Sequence, residues 1–383
     1  MTMDFSITDD QVAILDTTKR FATQRIRPKV REYDRDERFP LDLYAEMASL
    51  GLTGGVIPEE YGGAGMDHQT YALVIMQLAE VCQAMAGAAS WASGVGGVSV
   101  LRFGTEEQKQ KYLVPLARGE GPVAFALTET HTGSDVASMR ARAVRDGDHY
   151  ILNGNKVWIS MIGSCRWILT FATLDPSLGR KGITAFLLEP DWPGIERNMF
   201  KNKVGFRPME TGELVLQDVR VPVVNRLGAE GEGFRIAMSS VENGRLGVAA
   251  RAVGMIKACL DMSIAYAQTR TTFGEPLGRR QLVQSKITDM KVAYETARLL
   301  VMQTACKKDQ GDRARLDASM AKMYASDALM RVAEDAMQIH GAYGCSDEYE
   351  IGRYWRDAKF MQTIEGANEI HRTLIAEYLL GYR

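Results

Sequence analysis

Cysteine and histidine are scarce in this chain, and neither is arranged to hold a metal or a disulfide framework. Its 383 residues include five of each. Cys82, Cys165, Cys259, Cys306 and Cys345 lie far apart without a CxxC spacing, which reads as reduced thiols of a cytosolic protein. His68, His131, His149, His340 and His371 form no HExxH or paired-ligand pattern, so no metal site is expected. An excess of one charge is missing too. Against 46 basic residues stand 48 acidic ones, a net of -2, which offers no electrostatic footprint for nucleic acid. There is no Walker loop, no Gly-x-Gly-x-x-Gly after a strand and no Gly-x-Ser-x-Gly elbow, so the common nucleotide and serine-hydrolase signatures are excluded.

The long uncharged stretch is Val81–Leu101, about the length of a membrane-spanning helix. It is rich in Gly, Ala and Ser and interrupted by Gln83, Ser90, Ser93 and Ser99, which fits a tightly packed buried helix and no membrane span. The start, MTMDFSITDDQ, has polar and acidic residues where a signal peptide needs a basic start and an apolar run. A cytoplasmic protein is expected.

Three segments emerge from the patterning: a multidomain α+β chain. Residues 1–120 read as a helical domain. A capping residue within Ser6–Gln11 precedes a helical spacing of Val12, Leu15, Phe21 and Ile26, and further helices are expected at 41–50, 69–80 and 106–117. Residues 121–227 carry short apolar runs between turn signals, at 123–127, 150–152, 156–160, 167–171, 183–188 and 213–221. Asn153-Gly154 predicts a hairpin turn between two of them, and the spacing predicts an antiparallel sheet or barrel. Pro222 and the glycines Gly228, Gly231 and Gly233 close this segment as an interdomain turn. Residues 228–383 hold long helical patterns at 234–268, 281–309, 315–340 and 367–380, which predict a four-helix bundle. Clefts between such domains commonly hold ligands.

Five stretches stand in a particular order: PEEYGG at 58–63, FALTETHTGSD at 125–135, VWIS at 157–160, RTTFGEPLGRRQLVQ at 270–284 and IEGANEIHR at 364–372. Together, and over essentially the whole chain, they resemble the acyl-CoA dehydrogenase family. That resemblance implies helical, β and helical-bundle domains around a non-covalently held FAD. Phe125, Leu127, Thr128, Gly133 and Ser134 would wrap the flavin edge and pyrophosphate, with Trp158, Ile159 and Ser160 flanking the ring. Arg270, Phe273 and Gln281, with Gln338, Ile339, Gly341 and Ala342 reaching a neighbouring subunit's flavin, match the nucleotide contacts. Ala367, Asn368 and Glu369 match a further cofactor segment, although Ala367 replaces the usual threonine. Two more departures are Glu129-Thr130 in place of a common Glu-Pro pair, followed by His131, which reads as an exposed loop residue, and Ser160 in place of threonine.

Glu365 falls on the position of the family's catalytic base, where it would remove the α proton of a thioester. Some members carry the base at the position of Gly244 instead, which cannot act. Ser134, Glu242, Asn243, Arg245 and Gly366 match substrate contacts. An Arg-Ser pair that holds a distal carboxylate in glutaryl-CoA dehydrogenases falls on Ala86-Gly87, so a dicarboxylic acyl group is not expected. The small residues of 84–97 around Trp91 suit either a branched or cyclic acyl chain or close helix packing. The resemblance implies an acyl-CoA substrate of short or medium length, electron-transferring flavoprotein as acceptor and a homotetramer. The alternatives are a same-fold oxidase, a dehydrogenase of carrier-protein thioesters, or a non-catalytic helical scaffold.

Overall fold

The computed structural model describes residues 6–382; residues 1–5 of the acidic start, and residue 383, lie outside them. Thr8, within the expected capping stretch, begins the first helix. Its hydroxyl accepts the Gln11 N–H and the Gln11 side chain accepts its own, closing a capping box on α1 (Asp9–Phe21). Helices α2 (Val30–Asp36), α3 (Leu41–Ser49), α4 (His68–Ala79), α5 (Gln83–Trp91), α6 (Gly97–Phe103), α7 (Glu106–Gln108) and α8 (Val114–Ala117) follow. The uncharged run becomes α5, a wide-turned π segment at Ala92–Gly96, and α6. It is long and apolar enough to span a membrane, but 89% of its most apolar window is buried inside the protein.

The middle segment forms β1 (Val123–Ala126), β2 (Arg142–Asp146), β3 (His149–Ser160), β4 (Trp167–Thr173), β5 (Ile183–Leu188), β6 (Ile195–Met199), β7 (Thr211–Pro222) and β8 (Arg226–Leu227). The strand order is β6-β7-β3-β2-β4-β5-β8, with β1 on β4. Two expectations need correction. First, the sheet is mixed rather than antiparallel, because β1 and β2 both run parallel to β4. No pairing among the described residues joins β6 to β8, so the ladder is not a closed barrel. Second, Asn153-Gly154 is no hairpin turn. Strand β3 runs straight through it, and the turn lies seven residues earlier, where Asp146 faces His149 across Gly147 (φ 61) and Asp148. Gly154 sits instead at a register shift, with Ala141 so close that a Cβ would meet it at 2.7 Å.

The last segment is α9 (Gly233–Thr269), a small hairpin of β9 (Thr271–Thr272) and β10 (Glu275–Pro276), α10 (Gln281–Asp309), α11 (Arg315–His340), α12 (Ile351–Thr363) and α13 (Asn368–Leu379). Four of these match the expected helices closely. Helix α12 was hidden in a charged run. It buries Ile351, Tyr354, Ala358 and Met361 on one face, with Arg353 and Asp357 buried beside them. Two hydrophobic cores result. One joins the N-terminal helices to the bundle with Met161, Phe206 and Met209, and the other fills the β segment and takes in Tyr112, Leu113 and Leu116 before it and Ile236 and Ala237 of α9. The loop before β7 bolts the two together: the Phe206 N–H donates to Asp357 at 2.7 Å and its ring stacks on Phe360 at 5.0 Å.

Candidate active site

Glu365 occupies the turn between α12 and α13, at φ 51, and is followed by Gly366 at φ 101. A non-glycine residue in left-handed backbone is uncommon and persists where its surroundings impose it. Here α11 imposes it. Lys322 is fully buried and donates to the carbonyls of Gln362 (3.2 Å) and Gly366 (2.7 Å) and to the Asn368 side chain (2.8 Å). Asn368 in turn donates to Asp327 (2.7 Å) and Ser326 (2.9 Å). Burial pulls the Lys322 ammonium down to about 7 against the attraction of Glu365. His371 is buried above Gly366, where a Cβ would lie 3.1 Å from its Nε2, and desolvation holds the ring neutral, near a pKa of about 3.

This turn lays the Glu365 carboxylate on Gly244 of α9. A Cβ added at Gly244 would fall 2.0 Å from Oε2 and 2.7 Å from Cδ. Part of the residue reaches the surface, but Oε2 is buried and has no hydrogen-bond partner among the described residues. Burial pushes the carboxyl above the usual range, opposed by the Arg251 guanidinium, the Trp91 indole and then Lys322 and Arg245. Gly244, Gly247 and Arg251 share one face of α9. Opposite them, the Tyr71 hydroxyl would lie 2.9 Å from a Cβ at Gly247, and Ser90 3.0 Å. Gly87 faces Arg251, whose Nη1 would be 2.9 Å from its Cβ, with the Met209 methyl at 2.6 Å. The Ala86-Gly87 position therefore does have a cation beside it, supplied by α9 rather than α5.

The β segment builds the second wall. The Thr128 carbonyl accepts the Val157 N–H at 2.9 Å, placing the 125–135 loop beside Trp158–Ser160. Glu129 fastens this loop from inside. It accepts from the backbone of Arg140 (2.7 Å) and Ala141 (2.9 Å) and from buried Lys156 (2.7 Å). Burial opposes its ionisation, yet Lys156 and the two amides outweigh it and hold the carboxyl below its usual range. Burial also pulls Lys156 down, to about 8. Phe125 is half-buried, Leu127 buried and Gly133 exposed, and His131 is exposed on this loop as expected. A register shift in β3 turns Trp158 outward at φ 60, 57% exposed and edge-on to Phe200, while Ile159 turns into the core. The hydroxyls of Thr128, Ser134 and Ser160 have no protein partner among the described residues. A projecting indole on a strand that bonds to a loop carrying free hydroxyls fits a flat, polar-edged ring such as a flavin.

The remaining expected residues divide into two groups. Near Glu365, Arg245 is buried and bonds Ser319 at 3.2 Å, leaving Nε unpartnered. Glu242 pairs with Arg315 at 2.9 Å, and Asn243 accepts from Lys308 at 3.1 Å. The Asn368 side chain is committed inside the protein, Ala367 caps α13 and Glu369 is exposed. At the far end of α9, Arg270, Phe273 and Gln281 are exposed, and the Arg270 guanidinium lies 5.9 Å over Tyr343. Gln338, Gly341 and Ala342 are exposed there too, with Ile339 buried. No hydrogen bond, ion pair or ring contact among the described residues links this group to the 125–135 loop. Sequence reasoning missed Arg251 and Lys322. Their signal was available: each is a lone cation among small residues on a helix face that is otherwise buried.

Three family profiles match end to end: "Acyl-CoA dehydrogenase, N-terminal domain" over 8–120, "middle domain" over 124–219 and "C-terminal domain" over 231–380. A short-chain-specific acyl-CoA dehydrogenase of Megasphaera elsdenii is 41% identical, with 99% of this chain and 100% of that protein covered. The solved butyryl-CoA dehydrogenase of Megasphaera elsdenii superposes with a TM-score of 0.96 at 41% identity, covering 99% of this chain and 100% of the other. A chain in the structure of the electron transferring flavoprotein of Acidaminococcus fermentans also reaches 0.96, at 39% identity and with 99% and 100% covered.

Proposed function

Since the chain belongs to the acyl-CoA dehydrogenase family, we propose that it oxidises the α–β bond of a short-chain acyl-CoA, with Glu365 taking the α proton. The observation that carries this reading is the buried, unpartnered Oε2 lying on Gly244. A carboxylate with an ordinary pKa of about 4.3 is a weak base. Desolvation raises Glu365, and an acyl chain covering it raises it further, which moves its basicity toward that needed to abstract an α proton. The cofactor is FAD, which when bound supplies the acceptor for the β hydride. Thr128, Ser134 and Ser160 would offer it hydroxyls and Trp158 an exposed indole. Lys322 and Asn368 hold the Glu365–Gly366 turn so that the base meets the α carbon without reorganising. The Glu365 backbone N–H is the donor for the thioester oxygen, where negative charge grows as the proton leaves.

Gly244 explains why a single base suffices. The two positions at which the family carries its base address the same point in space, and a side chain at one displaces the carboxylate of the other. Arg270, Phe273 and Gln281 would hold the nucleotide half of the cofactor, with the 338–342 segment reaching the cofactor of a neighbouring copy in a homotetramer. That assembly is supported by α10, which buries only Met290, Ala297, Val301, Thr304 and Ala305 of its 29 residues, beside Phe273 (96% exposed) and Leu282 (81%). Electrons then pass to electron-transferring flavoprotein, in the cytoplasm.

The test is an anaerobic titration of the holoprotein with acyl-CoAs, following flavin absorption. Bleaching by a short acyl-CoA, lost in Glu365→Gln with flavin content unchanged, is the expected result. A flavin that no acyl-CoA bleaches would overturn the assignment and turn attention to carrier-bound thioesters.

A further inference from the structure

Arg251 is among the largest fully buried side chains of the protein, and its guanidinium is unpartnered. Nε, Nη1 and Nη2 all lack a hydrogen-bond partner among the described residues. Buried charges are normally paired, because an unpaired one carries its full desolvation penalty. Five N–H donors in a rigid fork make the omission larger than for any other side chain.

The position of the guanidinium indicates what would complete it. Arg251 lies seven residues after Gly244 on the same face of α9, roughly 10 Å along the axis. Helical side chains lean toward the N-terminus of their helix, so the fork leans back toward the Glu365 carboxylate. The two interact through space without forming an ion pair. Gly87 leaves room for Nη1, and Met209 and Tyr71 close the sides. Among the described residues, Glu365 is the carboxylate whose charge opposes the cost of burying Arg251. Once Glu365 takes up a proton, that counter-charge disappears.

We propose that Arg251 receives a carboxylate at the far end of the acyl group, making the preferred substrate the CoA thioester of a short dicarboxylic acid. This rests on the dehydrogenation proposed above, with Glu365 at the α carbon and the chain running along α9 toward Arg251. A carboxylate matches the fork with two parallel bonds and keeps the buried cation neutralised when Glu365 is protonated. A hydroxyl or keto group would supply an acceptor but no charge.

Binding and turnover are tested separately. In Glu365→Gln holoprotein, which cannot turn over, calorimetry compares succinyl-CoA and glutaryl-CoA with their apolar matches 4-methylpentanoyl-CoA and 5-methylhexanoyl-CoA. At least one carboxylated member is expected to bind about 100-fold more tightly than its match, because an apolar end leaves the fork unpaired. Adding Arg251→Gln should erase the preference, and Arg251→Lys should keep part of it; flavin absorption confirms folding of each. With Glu365 intact, the ratio of kcat/KM values should move the same way. Apolar matches binding as well or better, or a preference that survives Arg251→Gln, would overturn the proposal and leave Arg251 as a counter-charge for Glu365. If the wild-type flavin is bleached by none of the four while the binding preference holds, the dehydrogenation reading fails and the anion site stands.

Discussion

Replacing Gly244 with alanine adds one methyl group at the point where the Glu365 carboxylate rests. The new Cβ would stand 2.0 Å from Oε2 and 2.9 Å from Oε1, so the carboxylate must retreat by roughly 1.5 Å to reach ordinary contact. The atoms that give way belong to the end of a flexible side chain, and alanine is the better helix former by about 1 kcal/mol. The fold is therefore expected to be as stable as before, with an unchanged melting temperature and flavin content. Catalysis is another matter, since a displacement of about 1 Å at a reacting group costs on the order of 100-fold in rate. Anaerobic stopped-flow reduction of the flavin by the best acyl-CoA should slow by about that factor in Gly244→Ala. Moving the carboxylate across, in Gly244→Glu with Glu365→Gly, should recover part of the loss. A Gly244→Ala enzyme within threefold of wild type would refute the placement of the base.

Four further outcomes follow from the same geometry. The acid limb of kcat/KM should lie above the ordinary carboxylate pKa of about 4.3, because burial raises Glu365; activity falls as pH drops through it, and Arg251→Gln, by removing the largest opposing charge, should move the limb higher still. Glu129→Ala strands the Lys156 ammonium, both side chains being at most 2% exposed, and should cost about 3–5 kcal/mol in thermal unfolding together with loss of flavin on gel filtration. Lys322→Met leaves the carbonyls of Gln362 and Gly366 without their donor, which should cost about 2 kcal/mol and lower kcat more than it raises KM. The double change Phe273→Glu and Leu282→Glu should split the proposed homotetramer in sedimentation, since both side chains are more than four-fifths exposed on one copy.

The long helices α9, α10 and α11 were legible because a helical spacing is sustained over 37, 29 and 26 residues, although none carries a side-chain N-cap. Helix α12 was not, because Arg353 and Asp357 put charge where an apolar face was sought; each is buried with a partner, the Val81 carbonyl and the Phe206 N–H. The hairpin was misplaced for a different reason. Asp146-Gly147 and Asn153-Gly154 carry nearly the same turn chemistry, and only the pairing register with β2 and β7 decides between them. In the site, Glu365 was readable through its place in a series of motifs. Arg251 was not, because a charge in mid-helix normally marks the solvent side, and only the packing of α5 against α9 reveals that it has none.

Gly244 and Arg251 lie on α9 and Glu365 between α12 and α13, whereas Thr128 follows β1 and Trp158 lies on β3. The candidate site thus straddles a joint between two bodies whose cores interlock, Met161, Phe206 and Met209 of the β segment packing in the first and Ile236 and Ala237 of α9 in the second. Whatever occupies it touches both and works as mortar, adding contacts that neither body makes alone. Cofactor and substrate should accordingly raise the temperature at which the joint opens before they raise that at which either core melts.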